Sequence, residues 1–483
     1  DKQLFVHRIQ PLYLFLWKYA FCFSLVLRHY LEGRITDTSS ILAFLKDEVE
    51  STLKGNPDLV GFSVLTNSQI NFSLAIAKIV KDNFDIPVIL GGPSLYNLDL
   101  NELMNTFDFI DFIVVKEGEE ALSRLTKALE GREDFHDVPN LIWREGETII
   151  VNKERMITNL DDLPTPDFSD FQLNEYFFPE LILPVSSARD CPWNLCKFCQ
   201  LNAQYGGKYR QRSIENVVND IRVLKEKHNV NNFFFTDSEI TASRLKEIGY
   251  ALSENNLEVY FGCYARPTRD LTLQVMQTAF EGGCRFIQLG VESLNDKFLT
   301  FVNKGTSRES VLAVLKNADI VGINLLCYML AGIPTQTRAD LLADMKEIAL
   351  LQQQYNIFSV MYCLYNLGNH QPFYEQRQNY GIKLHDRRIA FSTVNSDSVH
   401  TNESLPYTYE DRSAYFLLRD CDRPNVDSPT MAVNQISKWV RELGINRDNL
   451  AFIFTINDFI FETQLLYSKE RPNRKSFLKR VYS

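Results

Sequence analysis

Residues 182–213 read ILPVSSARDCPWNLCKFCQLNAQYGGKYRQRS, an apolar run followed at once by a group of cysteines. Cys191, Cys196 and Cys199 fall within nine positions. A strand that leads into such a tight cysteine loop is typical of a metal site. Three thiolates suit a 4Fe–4S cluster, because each binds one iron and the fourth iron stays open to another ligand.

Zinc and buried structural thiols are the alternatives to a cluster at these cysteines. Structural zinc normally takes four protein ligands. The nearest further candidates are His228 and Cys263, both far along the chain from the loop. The spacing therefore favours an iron–sulfur cluster and leaves the other two interpretations open.

The composition limits the class of protein. A chain of 483 residues predicts two or three domains, and 45% apolar with 23% charged residues is normal for a soluble globular protein. The net charge of −10 argues against nucleic acid as a partner. Nine cysteines without regular pairing argue against a secreted disulfide framework and favour a reducing cytoplasm, which an oxygen-labile cluster would need.

One apolar segment is a candidate for a membrane span. Residues 12–27 read LYLFLWKYAFCFSLVL, which is slightly short for a span and carries Lys18 near its middle. The segment lacks the basic start and small-residue cleavage site of a signal peptide. We predict a buried helix here, packed on a strand at residues 4–9, and no membrane span.

The first part of the chain alternates helices and short apolar strands. Such an alternation, with glycine or small residues after the strands, predicts a doubly wound parallel sheet. The predicted strands are residues 58–64, 86–90 and 109–115, and the predicted helices are residues 39–54, 70–83 and 119–129.

Ligands of doubly wound sheets bind beyond the carboxyl ends of the strands. Paired glycines there would let a bulky planar ligand approach the backbone, although they would equally serve to close tight turns. The predicted binding residues are Thr66, Asn67, Ser68, Gly91, Gly92, Pro93, Ser94, Glu117, Gly118 and Glu119.

Alternation resumes after the cysteine loop and predicts a second parallel sheet. Six strands, counted from the one before the cysteines, favour a partial (β/α)6 barrel over a closed barrel of eight. Polar groups or glycine turns follow its later strands, where barrel active sites lie. The predicted strands cover residues 182–185, 232–236, 258–262, 286–290, 324–330 and 358–362, and the polar or turn residues are Glu239, Arg266, Gln288, Glu292 and Gly332.

The remaining segments set the predicted domain boundaries. Residues 130–180 contain two short strands and a proline-marked stretch, which we interpret as an excursion and a linker. From residue 371 the periodicity fades, apart from a predicted helix at residues 431–443. We predict an amino-terminal domain over 1–160, a barrel over 161–370 and a smaller carboxy-terminal module over 371–483, with a possible role in substrate binding.

The chain resembles the radical S-adenosylmethionine (SAM) enzymes, in particular the subgroup with an amino-terminal cobalamin-binding, Rossmann-like domain. The resemblance covers roughly residues 50–370. It is carried by SARDCPWNLCKFC at 187–199 and GGKYRQRSIENVV at 206–218. The stretches GGPS at 91–94 and VKEGEE at 115–120 are similar to the cobalamin half of that subgroup.

Two departures from the family pattern matter. Four residues separate Cys191 from Cys196, where the family usually has three. The Asp-x-His-x-x-Gly sequence that supplies a lower cobalt ligand in many cobalamin domains is absent. Members of the subgroup often lack it, and the cobalt would then have no histidine from the protein; loss of the cofactor is the alternative.

The resemblance implies roles for individual residues. Cys191, Cys196 and Cys199 would hold the 4Fe–4S cluster, whose open iron would chelate the amino and carboxylate groups of SAM. Cobalamin would lie at the strand ends of the first domain. The residues expected to contact SAM are Phe198 at the adenine, Ser238 and Glu239 at the amino group, Arg266 at the carboxylate, Gln288 and Glu292 at the ribose, and Gly332, Ile333 and Pro334 beside the adenine.

The resemblance also implies a reaction. One SAM would give a radical that abstracts hydrogen from an unactivated carbon, a second would supply the methyl of methylcobalamin, and the net result would be C-methylation of a peptide or small natural product. The segment from Tyr176 onward is loosely similar to members that methylate ribosomal peptides. Cyclisation or rearrangement without methyl transfer, and a non-catalytic cluster or zinc module, are the alternatives. Flavodoxin or ferredoxin is the expected electron donor.

Overall fold

The computed structural model describes residues 30–31, 40–53, 55, 57–65, 69–175, 180–201, 206–355, 358–365, 367, 370–380 and 382–384, with the dipeptides 390–391, 399–400 and 407–408. The predicted strand at 4–9, the predicted helices at 12–27 and 431–443, and the predicted ligand loop of Thr66, Asn67 and Ser68 lie outside these residues. The described chain forms two compact units that divide between Ile157 and Thr158.

The first unit is built on a five-stranded sheet whose strands lie in chain order. The first three strands are parallel to one another, whereas the fourth is antiparallel to the third and the fifth is antiparallel to the fourth. The strands are β1 (Val60–Ser63), β2 (Val88–Gly91), β3 (Phe112–Val114), β4 (Leu141–Glu145) and β5 (Thr148–Val151), and the helices are α1 (Ser40–Thr52), α2 (Ile70–Phe84), α3 (Leu100–Thr106) and α4 (Glu119–Leu129).

Both faces of this sheet are covered by helices. Leu90 of β2 packs with Leu74 of α2 in one apolar core, whereas its neighbour Ile89 packs with Phe112 of β3 and Leu125 of α4 in another. Successive strand residues point to opposite faces, so each face receives its own helices. The doubly wound arrangement is confirmed.

The strands β4 and β5 differ from the prediction for residues 130–180. They form a hairpin that pairs with β3 and extends the sheet, so they are not an excursion from it. Trp143 of β4 is buried in the same core as Phe112 and Leu125. Burial of this indole explains why the hairpin stays on the sheet, because a large aromatic ring removes much apolar surface from water.

The second unit contains a six-stranded sheet in which every neighbouring pair is parallel and the strand order follows the chain. This is the predicted partial (β/α)6 barrel. Its strands are β6 (Ile182–Val185), β9 (Asn232–Phe235), β10 (Tyr260–Ala265), β11 (Cys284–Glu292), β12 (Asn324–Ala331) and β13 (Phe358–Leu364), and its helices are α5 (Ile214–His228), α6 (Ala242–Glu254), α7 (Leu273–Glu281), α8 (Asp296–Phe301), α9 (Arg308–Val321) and α10 (Arg338–Gln354).

The two faces of the barrel sheet differ in character. Residues such as Phe233, Phe261 and Ile287 are fully buried against the helices in the largest core of the described chain. On the opposite face Phe286 and Leu326 are buried, and half-buried side chains surround them. Further short elements are β7 (Ala188–Arg189), β8 (Arg210–Gln211) and α11 (Pro372–Glu375), with paired dipeptides β14 (Lys383–Leu384) and β17 (Tyr407–Thr408) in this unit and β15 (Ala390–Phe391) and β16 (Val399–His400) in the first.

Two glycines allow the helices α6 and α7 to pack in close contact. A Cβ atom on Gly249 of α6 would lie 2.7 Å from the Cα atom of Ala279 in α7. A Cβ atom on Gly282, which follows α7, would overlap the backbone of Gly249. The absence of side chains at these two positions therefore sets the distance between the two helices.

We expect Gly249→Ala to lower the free energy of unfolding by about 1–3 kcal/mol, because the added methyl group overlaps backbone that cannot move freely. The better helix propensity of alanine, worth about 1 kcal/mol, would offset only part of this loss. Urea unfolding followed by circular dichroism measures the change, with Lys246→Ala on the exposed face of α6 as the control. Equal midpoints for Gly249→Ala and the wild type would contradict the close packing.

Candidate active site at the carboxyl ends of the barrel strands

The cysteine loop follows β6 and is closed at its base by a two-residue antiparallel ladder. Ala188 and Arg189 of β7 pair with Gln211 and Arg210 of β8. Just inside the ladder, the carboxylate of Asp190 accepts a hydrogen bond from the Arg210 guanidinium at 2.8 Å. The two ends of the loop are therefore held together, although most of its described residues have no regular secondary structure.

The buried carboxylate of Asp237, which follows β9, anchors the start of the loop. It accepts hydrogen bonds from the backbone N–H of Ser187 at 2.8 Å and of Ala188 at 2.6 Å, and from the hydroxyls of Ser186 and Ser187. Only 2% of Asp237 is exposed. A carboxylate with several backbone donors holds those donors in one orientation, so β9 determines the direction in which the loop leaves β6.

Arg244 of α6 supports the same segment from behind. Its guanidinium donates to the carbonyl oxygen of Arg212 at 2.8 Å and approaches the carbonyl oxygen of Ser187 at 3.4 Å. These two residues are themselves joined, because the Arg212 N–H donates to the Ser187 oxygen. Sequence reasoning missed Arg244, since an arginine in a helix gives no sign that it is buried.

The outer wall of the loop is the turn Val302–Gly305, which follows α8. Lys197 donates its backbone N–H to the oxygen of Val302 at 3.0 Å, and the indole N–H of Trp193 donates to the oxygen of Asn303 at 2.8 Å. Gly305 lies against the same indole, and a Cβ atom there would overlap the ring. Two tryptophan contacts and one backbone bond therefore dock the loop on this turn.

The three thiols share one electrostatic environment. Burial raises the pKa of Cys196 to about 12; the charge of Lys304 opposes this shift, and the charges of Cys199, Glu292 and Cys191 add to it. Burial likewise raises the pKa values of Cys191 and Cys199. Thiols with raised pKa values stay protonated without a metal, and a metal centre would supply the positive charge that their thiolates need.

The donor set fits an iron–sulfur cluster. The loop offers three half-buried sulfur donors, and the charges of Cys191 and Cys199 both add to the raised pKa of Cys196. Among the described residues no three histidine, cysteine or acidic side chains are grouped to hold a single metal ion. Cluster thiolates each bind a different iron, so an iron–sulfur cluster does not need three side chains that converge on one ion.

Two of the predicted SAM contacts are paired with each other. The guanidinium of Arg266 donates to the carboxylate of Glu239 at 2.7 Å, and both side chains are largely buried. The thiol of Cys191 also approaches Glu239, at 3.4 Å, and the guanidinium lies 4.7 Å from the centre of the Trp193 ring. Ser238 lies in the same short segment after β9.

A second ion pair lies at the end of β11. Glu292 accepts a hydrogen bond from the ammonium of Lys304 at 2.7 Å, and both residues are buried. Glu292 has a positive φ of 67° and follows an irregularity in the pairing of β11 with β12. The predicted ribose contact Gln288 lies half-buried on β11 and accepts a hydrogen bond from the hydroxyl of Tyr328.

The predicted adenine side forms a third part of the site. Gly332 has a positive φ of 86°, and its N–H donates to the side chain of the buried Gln336. Ile333 and Phe198 pack in one apolar cluster with Phe373. The predicted residues Phe198 and Ile333 therefore lie together, and Pro334 is buried next to them in the chain.

The beginning of the predicted carboxy-terminal module packs on the cysteine loop. Phe373 donates its N–H to the carbonyl oxygen of Lys197 at 3.1 Å, and the ammonium of Lys197 lies about 5 Å from the rings of Phe301 and Tyr380. Phe373 and Tyr380 thus contribute to the support of this loop. Most of the chain beyond them lies outside the described residues.

In the first unit, the tight turn after β2 requires a glycine at position 92. Gly92 has a φ of 106°, and a Cβ atom there would lie 2.6 Å from the backbone of Val64. Ser94 donates its N–H to the Val64 oxygen, and Pro93 begins a short 3-10 helix. Gly91 has only an ordinary contact. The turn interpretation therefore accounts for Gly92.

The predicted ligand segment after β3 is also used within the unit. The buried carboxylate of Glu117 accepts the N–H of Ile157 at 2.7 Å, Gly118 precedes the first turn of α4, and Glu119 lies in that turn. At the start of α2, the side-chain oxygen of Asn71 is buried and has no hydrogen-bond partner among the described residues. An unsatisfied buried acceptor suits a ligand that brings an N–H donor.

Two family models match this chain. The radical SAM superfamily model matches residues 185–348, and the B12 binding domain model matches residues 29–126. The chain therefore carries a B12-binding domain ahead of a radical SAM domain. Such a radical SAM domain uses a 4Fe–4S cluster and SAM, which agrees with the sulfur donors of the loop.

Known relatives include both methyltransferases and a cyclase. An uncharacterized methyltransferase of Pyrococcus horikoshii is 26% identical over 64% of the chain and 67% of its own length. The anaerobic magnesium-protoporphyrin IX monomethyl ester cyclase of Rubrivivax gelatinosus is 30% identical over 64% of the chain and 58% of its own length. The chain thus spans about two thirds or less of these relatives.

A solved structure shares the fold over most of the chain. The radical SAM methyltransferase TsrM of Kitasatospora setae, solved with its tryptophan substrate and a SAM analogue, matches with a TM-score of 0.66 at 14% identity, over 91% of this chain and 92% of that one.

Among the helices described here, none has the length and apolar character needed to cross a bilayer.

Asp344 of α10 holds the turn that follows Glu292. It accepts hydrogen bonds from the Ser293 hydroxyl at 2.5 Å and the Leu294 N–H at 3.1 Å. Burial raises the pKa of Asp344 to about 6, and these two hydrogen bonds oppose the shift. Between about pH 4 and pH 6 the folded state therefore keeps a proton that the unfolded state releases.

We predict that the Asp344 carboxyl makes the free energy of unfolding fall by about 2–3 kcal/mol as the pH rises from about 4 to about 6. The reason is that the folded state binds more protons than the unfolded state in this range. Asp344→Asn should remove this part of the pH dependence. Urea unfolding at several pH values measures it, with the exposed Asp319→Asn on α9 as the control. Identical pH profiles for the wild type and Asp344→Asn would show that the carboxyl is not perturbed.

Proposed function

We propose that this protein is a cobalamin-dependent radical SAM C-methyltransferase that methylates an unactivated carbon of a peptide or small natural product with two molecules of SAM. The observation that carries the proposal is a three-cysteine loop held at the carboxyl end of β6, beside the strand ends of Glu239 and Glu292, in a chain that also has a B12-binding domain. The methyltransferase relatives support the same activity.

In this proposal Cys191, Cys196 and Cys199 hold the cluster. When bound, cluster, SAM and cobalamin supply radical formation and methyl transfer, chemistry that no side chain provides. The protein itself would bind and orient these groups and exclude water from them. The docked loop and the paired charges of Glu239 and Glu292 perform the orienting part, because each carboxylate is fixed by a cation before any ligand arrives.

The predicted SAM contacts retain specific roles. The Glu239 carboxylate is the acceptor for the amino group of SAM, shared with Arg266. Gln288 and Glu292 serve the ribose, and the Phe198–Ile333 cluster provides an apolar wall for the adenine. Glu239, Glu292, Phe198 and Ile333 lie at or after strand ends of the barrel, where ligands of this fold bind, and Gln288 lies within β11.

Cobalamin is assigned to the first unit, at the carboxyl ends of β1, β2 and β3. The buried acceptor of Asn71 supports this assignment, because the amide side chains of the corrin ring bring N–H donors. Gly91, Gly118 and Glu119 remain candidates for contact with it, with the segment Thr66 to Ser68. We place the protein in the cytoplasm, with a flavodoxin or ferredoxin as electron donor, because an oxygen-labile cluster needs a reducing compartment.

Cyclisation without methyl transfer is the second candidate, favoured by the 30% identity to a cyclase. Both reactions would place hydrogen from the substrate carbon into 5′-deoxyadenosine. Only methylation gives a product that is heavier by one CH2 group, so the mass of the product distinguishes the two.

Cys196→Ala should abolish both the brown absorbance of the reconstituted protein and the formation of 5′-deoxyadenosine from SAM and dithionite, because one iron loses its thiolate. The matched control is Cys327→Ala, the same substitution at a buried cysteine of β12 outside the loop. Wild-type yields of 5′-deoxyadenosine from Cys196→Ala, or zinc in place of iron in the wild type, would overturn the cluster assignment.

The protein should take up hydroxocobalamin and transfer a methyl group from SAM to a molecule of the host cell. Anaerobic incubation of the reconstituted protein with methyl-labelled SAM, reductant and host extract, followed by mass spectrometry, identifies the labelled product. A flat visible spectrum after incubation with hydroxocobalamin would remove the methyltransferase proposal while leaving the radical chemistry of the barrel intact.

A further inference from the structure

Lys304 is a buried cation in the wall of the cysteine loop, and neither the sequence pattern nor the comparisons give it a role. It lies in the turn Val302–Gly305, between two residues that hold Trp193. Only 6% of the residue is exposed. Lysine is almost never so deeply buried without a partner, so its surroundings identify what it serves.

The ammonium of Lys304 is held on two sides. It donates to Glu292 at 2.7 Å, and it lies 5.6 Å from the centre of the Phe198 ring, next to Cys199 in the chain. Gly290 leaves room for it, because a Cβ atom there would lie 2.8 Å from the Nζ atom. The charge is thus confined to the space between β11 and the cysteine loop.

The backbone of Lys304 serves the other ion pair. Its carbonyl oxygen accepts a hydrogen bond from the Arg266 guanidinium at 2.9 Å, and Arg266 holds Glu239. The same residue therefore fixes both carboxylates of the site, one through its side chain and one through its backbone. Substitution of the side chain leaves the second contact in place.

A fixed charge at this position acts on the cluster that the proposed function places at the three cysteines. One-electron reduction adds a negative charge to the cluster, and a nearby buried cation stabilises the reduced form more than the oxidised one. Reduction potentials of iron–sulfur clusters depend on net charge, hydrogen bonds to sulfur and solvent exposure. Water screens the interaction poorly, because the ammonium is buried.

We propose that Lys304 is an electrostatic positioning residue that raises the midpoint potential of the 4Fe–4S cluster and holds Glu292 beside it. This inference rests on the proposed cluster assignment and adds a property that the radical SAM match does not supply. Glu292 has the opposite effect on the potential, because its negative charge lies in the same buried space.

The experiment measures the midpoint potential of the reconstituted full-length protein, without SAM or substrate, by titration with dithionite followed by electron paramagnetic resonance. Lys304→Met removes the charge at similar length, Lys304→Arg keeps it, and Glu292→Gln removes the opposite charge. Lys297→Met, at an exposed position of α8, is the matched control. Iron and sulfide contents establish that each variant holds the cluster.

We expect a more negative potential in Lys304→Met, a more positive one in Glu292→Gln, and wild-type values in Lys304→Arg and Lys297→Met. A purely structural role would shift the midpoint potentials of Lys304→Met and Glu292→Gln in the same direction, or shift neither. Either result overturns the inference. If Lys304→Met assembles too little cluster, the positive shift in Glu292→Gln and the unchanged Lys304→Arg decide it. A wild type that binds no cluster would instead refute the proposed function.

Discussion

The contact between the Asp237 carboxylate and the backbone of Ser187 and Ala188 is the constraint on which the candidate site depends. The cysteine loop is largely irregular, so it has few of the repeating backbone bonds that hold a helix or a strand. Its direction must come from fixed points outside it. Asp237 supplies the first of these at the end of the neighbouring strand, and Arg244 supports the same backbone from α6.

Charge balance is the second organising feature. Glu239 with Arg266 and Glu292 with Lys304 form two buried pairs beside thiols whose pKa values are raised by burial. Buried ion pairs contribute little net stability, because desolvation offsets their attraction. Their presence here is better explained by the site, because each carboxylate is held in one place by its cation.

Much of this arrangement follows from sequence, because parallel strands place their carboxyl ends at one edge of a sheet. That rule was enough to predict that Glu239, Arg266 and Glu292 lie at the barrel strand ends, whereas Gln288 lies within β11. It could not predict that Glu239 pairs with Arg266, since partners are chosen by side-chain geometry over long sequence separations. The burial of Lys304 could not be predicted for a related reason, because this residue lies in a turn between helices, where no periodicity indicates burial.

The unusual spacing of four residues between Cys191 and Cys196 has a local explanation. Asn194 adopts a positive φ of 58°, a conformation that asparagine tolerates well, and its side chain donates to the oxygen of Gly207 across the loop. Trp193 is docked on the turn Val302–Gly305, whereas Leu195 is 55% exposed. The spacer therefore folds into a turn that is held at both sides and projects the Leu195 side chain outward. Trp193 in the spacer and Lys197 directly after Cys196 both bond to the turn Val302–Gly305, so the longer spacer leaves the loop docked on both sides of Cys196.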